Sequence, residues 1–186
     1  QRSGARTALI TTKGFEDGLA IGRQARPELY NLDAVRSPPL VPDNLRLGLR
    51  ERVAASGEVL EPLDSVQLKE IIAKLTKARV ESIAVSLLFS FAHPQHEQEV
   101  AAALASLNVP LSISHQILPE YREYERTSTV TINAYLQPLM GNYLKRLSRV
   151  LSATQKPQNQ GALLRVMQSS GGSISAAAAA AEPVRT

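Results

Sequence analysis

The segment Ile117–Pro138, ILPEYREYERTSTVTINAYLQP, holds the densest set of groups able to do chemistry. Glu120, Arg122, Glu123, Glu125 and Arg126 run directly into Thr127, Ser128, Thr129 and Thr131, and Asn133 closes the set. Pro119 can open a helix, where its missing N–H costs nothing, and Glu120 and Glu123 then suit the positive helix end. Arg122 and Glu125 have the i,i+3 spacing of an ion pair. The hydroxyls are indifferent helix formers because they compete for backbone groups. A solvated helix gains little from them. A cleft wall would use them to permit close approach, with Asn133 supplying both a donor and an acceptor. Chemistry alone leaves cleft wall and structural joint equally open, since buried polar groups need partners in either case.

A second candidate is Ser169-Ser170-Gly171-Gly172, read as a turn between a strand and a helix. Unshielded amides at a helix start can hold an anion. An ordinary strand-to-helix turn capped by Ser173 is the simpler account of the same residues. His93 and His96 sit three apart with Glu97 and Glu99 nearby, but zinc normally needs three or four converging ligands, and only His115 remains as a third histidine. A hydrophilic helix start is the better reading there. The sequence holds no Gly-x-Ser-x-Gly elbow, no cysteine and no glycine-rich phosphate loop of either common type.

The elements that must position these groups follow from pattern. Arg6–Thr12 is apolar and β-rich and reads as a strand, and Phe15–Ile21 reads as one or two helical turns. Ala25–Pro62 is irregular and proline-rich, ending in a hairpin with Arg50–Ala54 and Glu58–Leu60 around Ser56-Gly57. From Asp64 onward the pattern alternates. Asp64 and Gln67 have capping-box spacing ahead of a helix whose inner face is Leu68, Ile71, Ile72 and Leu75. Ser82–Phe89 reads as a strand buried on both faces. Pro94 opens a helix with Val100, Ala103, Leu104 and Leu107 inside, and Leu111–Ile117 is the next strand. A helical region with Leu136, Met140, Tyr143, Leu147 and Val150 on one face follows, broken or restarted at Pro138. The loop Gln155–Gly161, a fourth strand Ala162–Gln168 and an alanine-rich helix Ser173–Ala181 complete the chain. The expectation is an α/β fold with a mostly parallel sheet and flanking helices. Residues 1–62 form its strand, irregular segment and hairpin, and 63–186 the alternating part of the same domain.

At 186 residues the chain can bury a full core without disulfide or metal. The net charge of +4 invites a test for nucleic acid, but the cations are scattered, and five tyrosines and three phenylalanines offer few stacking platforms. Nucleic-acid binding is therefore not expected. No apolar run approaches the ~18–20 residues of a membrane span. The absence of cysteine fits a reducing, cytoplasmic setting.

Several ordered motifs resemble hydantoinase A and 5-oxoprolinase, a group that also includes acetone carboxylase β subunits. They run from Gly4–Phe15 through Ile21-Gly22-Arg23-Gln24, Arg26-Pro27-x-Leu29-Tyr30-Asn31-Leu32, Glu51-Arg52-Val53 and Pro62-Leu63-Asp64. They continue with Leu87–Phe91, Pro94-x-His96-Glu97, Pro119–Arg126 and Asn133-Ala134-Tyr135-Leu136-x-Pro138, and end at Met167–Gly172 and Pro183–Thr186. The resemblance implies one lobe of an actin-like ATPase fold and ATP-dependent hydrolysis of a cyclic amide such as a hydantoin or 5-oxoproline. It implies ATP and magnesium for the intact parent, with none expected on this piece alone. The expected partners are the remainder of the parent polypeptide and a second, hydantoinase B-type subunit or domain. The family's phosphate loops are not among these residues, so the chain reads as an internal piece of the N-terminal lobe, inactive by itself. Glu120, Arg122, Glu123, Arg126, Thr129 and Asn133 would line the cleft, with Arg122 or Arg126 on an anionic group and Ser169–Gly172 nearby. On that reading Arg126→Ala lowers turnover and leaves the melting temperature nearly unchanged. The alternative is a free-standing α/β module that binds an anion or a partner without catalysis.

Overall fold

A computed structural model describes residues 3–23, 30–31, 33, 37–154 and 164–186. Strand β1 (Thr7–Thr12) is followed by the short helix α1 (Gly18–Ile21) and, after the proline-rich segment, by β2 (Arg46–Leu49). Strands β3 (Arg52–Val53) and β4 (Val59–Glu61) form the expected antiparallel hairpin. Helix α2 (Ser65–Ala78), strand β5 (Ser82–Ser86), helix α3 (Gln95–Leu104), strand β6 (Leu111–Ile113) and the one-turn helix α4 (Ser114–Ile117) come next. The long helix α5 (Glu123–Thr154), strands β7 (Arg165–Met167) and β8 (Ser173–Ser175) and helix α6 (Ala176–Ala181) complete the order.

Four strands make one parallel sheet in the order β2-β1-β5-β6. The expected α/β class with a parallel sheet and flanking helices is what the structure has. Every residue of β1 and β5 is buried, so both faces of the sheet centre are covered. Leu9, Ile10, Ile83 and Val85 pack with Leu68, Ile71 and Leu75 of α2, Val100 and Leu104 of α3, and Val130 and Ala134 of α5 in one core. Strands from both sides of residue 62 share the sheet.

Several expectations need correction. Strand β2 lies in the segment read as irregular. It alternates half-buried and buried residues at the sheet edge, and its flanking prolines hid that short pattern. The apolar run Ser82–Phe89 is strand only to Ser86, and Phe89 turns the chain with φ 55°. The run Leu111–Ile117 divides into β6 and α4, because Ser114 onward turns helical to meet a buried carboxylate. Helix α5 is continuous through Pro138. Proline there forfeits one i→i−4 bond, but the neighbouring turn is held from outside. The Tyr135 carbonyl accepts from Ala5 N at 3.0 Å, and its hydroxyl accepts from Gly4 N at 2.7 Å. Gly4 is required there, since a Cβ would fall 2.1 Å from the Tyr135 ring.

The inner stripe of α5 also differs from the expected one. Tyr143 and Val150 are exposed, whereas Val130, Thr131, Asn133, Ala134 and Leu144 are buried. Small and polar residues facing a sheet leave no hydropathy period to read. Strand β7 does not join the parallel sheet. It pairs antiparallel with β8, so the expected strand-turn-helix is a hairpin and the helix begins at Ala176, capped by Ser175 and not Ser173. The loop Gln155–Gly161 and the motif residues Gln24, Arg26, Pro27, Leu29 and Leu32 lie outside the described residues. Among the described residues no helix is long and apolar enough to cross a membrane.

Candidate functional site

In open parallel sheets ligands bind beyond the carboxyl ends of the strands. Here that edge is formed where β1 ends at Thr12 and β5 at Ser86, with the N-terminal turns of α5 and the helix α1 closing the sides. A cavity of about 190 Å³ opens there, walled by Phe15, Ile21, Leu87, Leu88, Tyr124 and Thr127, with Glu123 and Arg126 among its lining. Ser86 Oγ and Thr127 Oγ1 share a hydrogen bond of 2.7 Å across its floor.

Arg126 is the largest fully buried side chain, 1% exposed. Its Nη1 donates to the Glu120 carbonyl at 2.7 Å and its Nη2 to the Leu87 carbonyl at 3.0 Å. The guanidinium also lies 5.4 Å from the centre of the Phe91 ring, a cation–π contact. Its Nε has no hydrogen-bond partner. An orphaned buried donor costs about 1–3 kcal/mol. Burial pushes the Arg126 pKa down, opposed by the charges of Glu97 and then Glu123.

Glu97 holds the same residue, Leu87, from its N–H side. It is fully buried and accepts from Leu87 N at 2.9 Å, Ser114 Oγ at 2.7 Å, His115 N at 3.1 Å and His115 Nδ1 at 2.7 Å. Residue Leu87 is thus clamped between a buried anion at its N–H and a buried cation at its C=O. Ser90 Oγ adds a second donor to the Leu87 carbonyl at 2.9 Å. Next to it, Leu88 N donates to Thr12 Oγ1 at 3.0 Å, and the Thr12 hydroxyl donates to buried Glu51. Glu51 in turn accepts from His96 Nδ1 at 2.7 Å. Buried carboxylates are tolerable only when hydrogen-bonded, and both are.

These groups were not assigned a site role from sequence. His96 and Glu97 are buried anchors, which corrects their reading as a hydrophilic helix start. Among the described residues no three His, Asp or Glu side chains group as a metal site. A signal for Glu97 existed: it shares one helical face with Val100 and Leu104, the buried face of α3.

The predicted site residues divide. Glu123 and Arg126 line the cavity. Helix α5 begins at Glu123, so Glu120 and Arg122 precede it, and Glu120 contributes its carbonyl to Arg126. Arg122 is exposed and stacks on Tyr121 with 5.7 Å to the ring centre. Its expected partner Glu125 instead binds Arg23, with Nε to Oε1 at 2.8 Å. Among the hydroxyls, Thr127 lines the first cavity, while Ser128 and Thr131 line a second of about 200 Å³ against Leu19 and Pro38–Leu40. Thr131 Oγ1 is buried without a partner, and Thr129 is half-buried. Asn133 is fully buried and points away from the cavity's lining set. Its Nδ2 donates to Ser112 Oγ at 2.9 Å and to the Ala181 carbonyl at 3.0 Å, and its Oδ1 accepts from Val184 N at 3.2 Å. It ties the C-terminal segment to β6.

Ser169, Ser170, Gly171 and Gly172 are exposed in the β7–β8 hairpin turn, where Gly171 N donates to the Gln168 carbonyl at 3.1 Å. The glycines have φ of 96° and 82°, as such a turn demands. The turn sits at no helix start, so the described residues do not build a phosphate cradle, and no step through a nucleotide is derived from them.

The family description "Hydantoinase/oxoprolinase N-terminal region" matches residues 1–107, and "Hydantoinase/oxoprolinase" matches residues 126–186. An uncharacterized protein of Methanocaldococcus jannaschii is 43% identical over 167 residues, which is 89% of this chain and 24% of that protein. Caprolactamase subunit alpha of Pseudomonas jessenii is 32% identical over 178 residues, 92% of this chain and 25% of that protein. The crystal structure of ATP-dependent caprolactamase from Pseudomonas jessenii superposes with a TM-score of 0.84 at 31% identity, over 99% of this chain and 27% of that one. The chain spans about a quarter of the length of these relatives. On the strength of those matches, the chain belongs to the hydantoinase/oxoprolinase family.

Proposed function

We propose that the chain is a cleft-forming part of the actin-like N-terminal lobe of an ATP-dependent hydrolase acting on a cyclic amide. The observation that carries this is the clamped Leu87–Leu88 turn at the open end of the parallel sheet, in a chain whose structural relative is an ATP-dependent caprolactamase. Such enzymes need a wall that holds the substrate carbonyl while charge develops on it. Fully bonded peptides between buried charges give a wall that does not relax when a ligand arrives.

Phosphoryl transfer also requires metal and backbone amides around the migrating phosphate. ATP and magnesium are therefore assigned to the complete enzyme, and the 186-residue chain alone is expected to be inactive. A second subunit of the hydantoinase B type is the expected partner, in keeping with a relative named as a subunit alpha. The cysteine-free sequence supports a cytoplasmic setting. The test is ATP-dependent opening of a lactam ring, followed by ADP release, for the chain and for a polypeptide extended to the length of the relatives. Turnover by the extended polypeptide only is the expected result. Turnover by the 186 residues alone overturns the assignment.

A further inference from the structure

The acidic residues are distributed unevenly along the chain. From Thr127 to Ala181 the sequence carries Lys145, Arg146, Arg149, Lys156 and Arg165 and not one Asp or Glu. The net charge of +4 therefore comes from this stretch alone, and the rest of the chain is slightly acidic.

Part of the stretch folds into an open groove. The C-terminal half of α5 and the helix α6 enclose about 450 Å³, with Gly141, Leu144, Lys145 and Arg149 on one side and Ala177 and Ala180 on the other. Leu144 is buried, and a Cβ added to Gly141 would meet nothing within 4 Å, so the trough is apolar and empty there. Lys145 and Arg149 are exposed one helical turn apart on its rim. None of the ion pairs among the described residues uses either of them.

An apolar trough edged by cations one turn apart matches an amphipathic helix. Apolar side chains at i, i+3 and i+4 fill the trough, and carboxylates one turn apart meet the cations. A second copy of the chain is a poor occupant, because a self-complementary contact brings this acid-free face against itself. A bilayer is a poor occupant too, because membrane binding buries a protruding apolar face and this one is concave.

We propose that the groove between α5 and α6 docks an acidic amphipathic helix of a separate partner subunit. The inference rests on the partner reading in the proposed function, and it names the surface and the chemistry that receive that partner.

The test titrates the ¹⁵N-labelled 186-residue chain with a synthetic helix of about 15 residues, leucines along one face and glutamates one turn apart beside them. Saturable shifts are expected at the backbone amides of Gly141, Lys145, Arg149, Ala177 and Ala180. The same peptide with lysine for glutamate is expected to leave them in place. Gly141→Leu fills the groove with a better helix former. It is expected to weaken binding about tenfold or more, with no fall in melting temperature. Lys145→Glu combined with Arg149→Glu is expected to reverse the preference between the two peptides, which a merely structural role would not do. Absence of saturable shifts, equal response to both peptides, or undiminished binding in Gly141→Leu overturns the proposal. Loss of binding in the polypeptide extended to the length of the relatives also overturns it, by placing a segment of the same chain in the groove. So does a dimer in sedimentation, or cosedimentation with phosphatidylglycerol vesicles, that Gly141→Leu abolishes. The readout is binding without turnover, so a failed turnover experiment on the extended polypeptide leaves this result standing, and the reverse also holds.

Discussion

The carboxyl edge of the parallel sheet and the β7–β8 hairpin both invite a reading as ligand sites, and they are built in opposite ways. At the sheet edge, polar groups converge inward. Glu51, Glu97 and Arg126 are buried, and the backbone groups of Leu87 and Leu88 make four hydrogen bonds with side chains of Thr12, Ser90, Glu97 and Arg126. In the hairpin, Ser169–Gly172 face solvent, and Gly171 and Gly172 bond to the backbone of Gln168. A glycine pair advertises a backbone shape, whereas a buried charge must be held by its surroundings. The second is the better mark of a place that the fold constrains.

The largest effects are expected where that constraint is cut. Glu97→Ala strands the Leu87 N–H and removes a charge that acts on Arg126, and Arg126→Ala removes the donors to the Glu120 and Leu87 carbonyls along with a charge that acts on Glu97. Removing one partner from a buried charge set costs about 3–5 kcal/mol. Each variant should lose roughly that much in urea unfolding, and so Arg126→Ala is not expected to be thermally silent. A loss below about 1 kcal/mol would place the clamp in solvent-like surroundings, where surface pairs belong.

Asn133→Ala is next. It removes three bonds that join α5, β6 and the C-terminal segment. At about 0.5–1.5 kcal/mol per bond the loss should reach about 2–3 kcal/mol, measured by the same unfolding experiment. Thr131→Val should act in the other direction. It replaces a buried unpartnered hydroxyl with a methyl of the same shape and should stabilise by about 1 kcal/mol. Gly171→Ala sharpens the contrast from the hairpin side. With open space around it but φ 96°, the strain should be about 1 kcal/mol.

The smallest effect is pH-dependent. The Asp64 carboxylate caps α2 through Gln67 N and Val66 N, and the Gln67 bond is the main reason its pKa lies below the usual carboxylate value. Arg50 lowers it further, and desolvation opposes both. A depressed folded value means the stabilisation is present above the unfolded pKa and is lost as pH falls through the folded one. The melting-temperature difference between wild type and Asp64→Ala should hold from neutral pH to the ordinary carboxylate range and vanish in stronger acid. A difference that persists there would assign the capping to something other than the ionised carboxylate.

The same cap shows how far the sequence carries. Asp64 is read correctly, but Gln67 does not close a box. Its Oε1 accepts from Arg50 N at 2.6 Å and its Nε2 donates to the Gly48 carbonyl at 3.2 Å, stitching α2 to the end of β2. Local signals such as caps, the Ser56-Gly57 hairpin and the strands β1 and β5 are legible because each depends on neighbours in the chain. Gly57 even explains itself twice, with φ 90° and a Cβ position only 2.7 Å from the His93 ring. The clamp is illegible because its members come from positions 12, 51, 87, 97, 115 and 126, joined only by the fold. Glu123 and Arg126, which line the cavity, stand out in the sequence because charge beside hydroxyls is a local feature. Glu97 does not stand out, because a carboxylate on an apolar face reads as noise until its partners are in place.

The most direct measurement is amide hydrogen exchange of the intact chain, read at Leu87 and Leu88 against Gly171 and Gly172. The clamp requires the two leucine amides to exchange only through global unfolding, among the slowest in the molecule, and the glycine amides to exchange freely. Leucine amides that exchange as fast as the hairpin would mean the buried charges do not hold this edge of the sheet, and the cleft wall would have no rigid foundation.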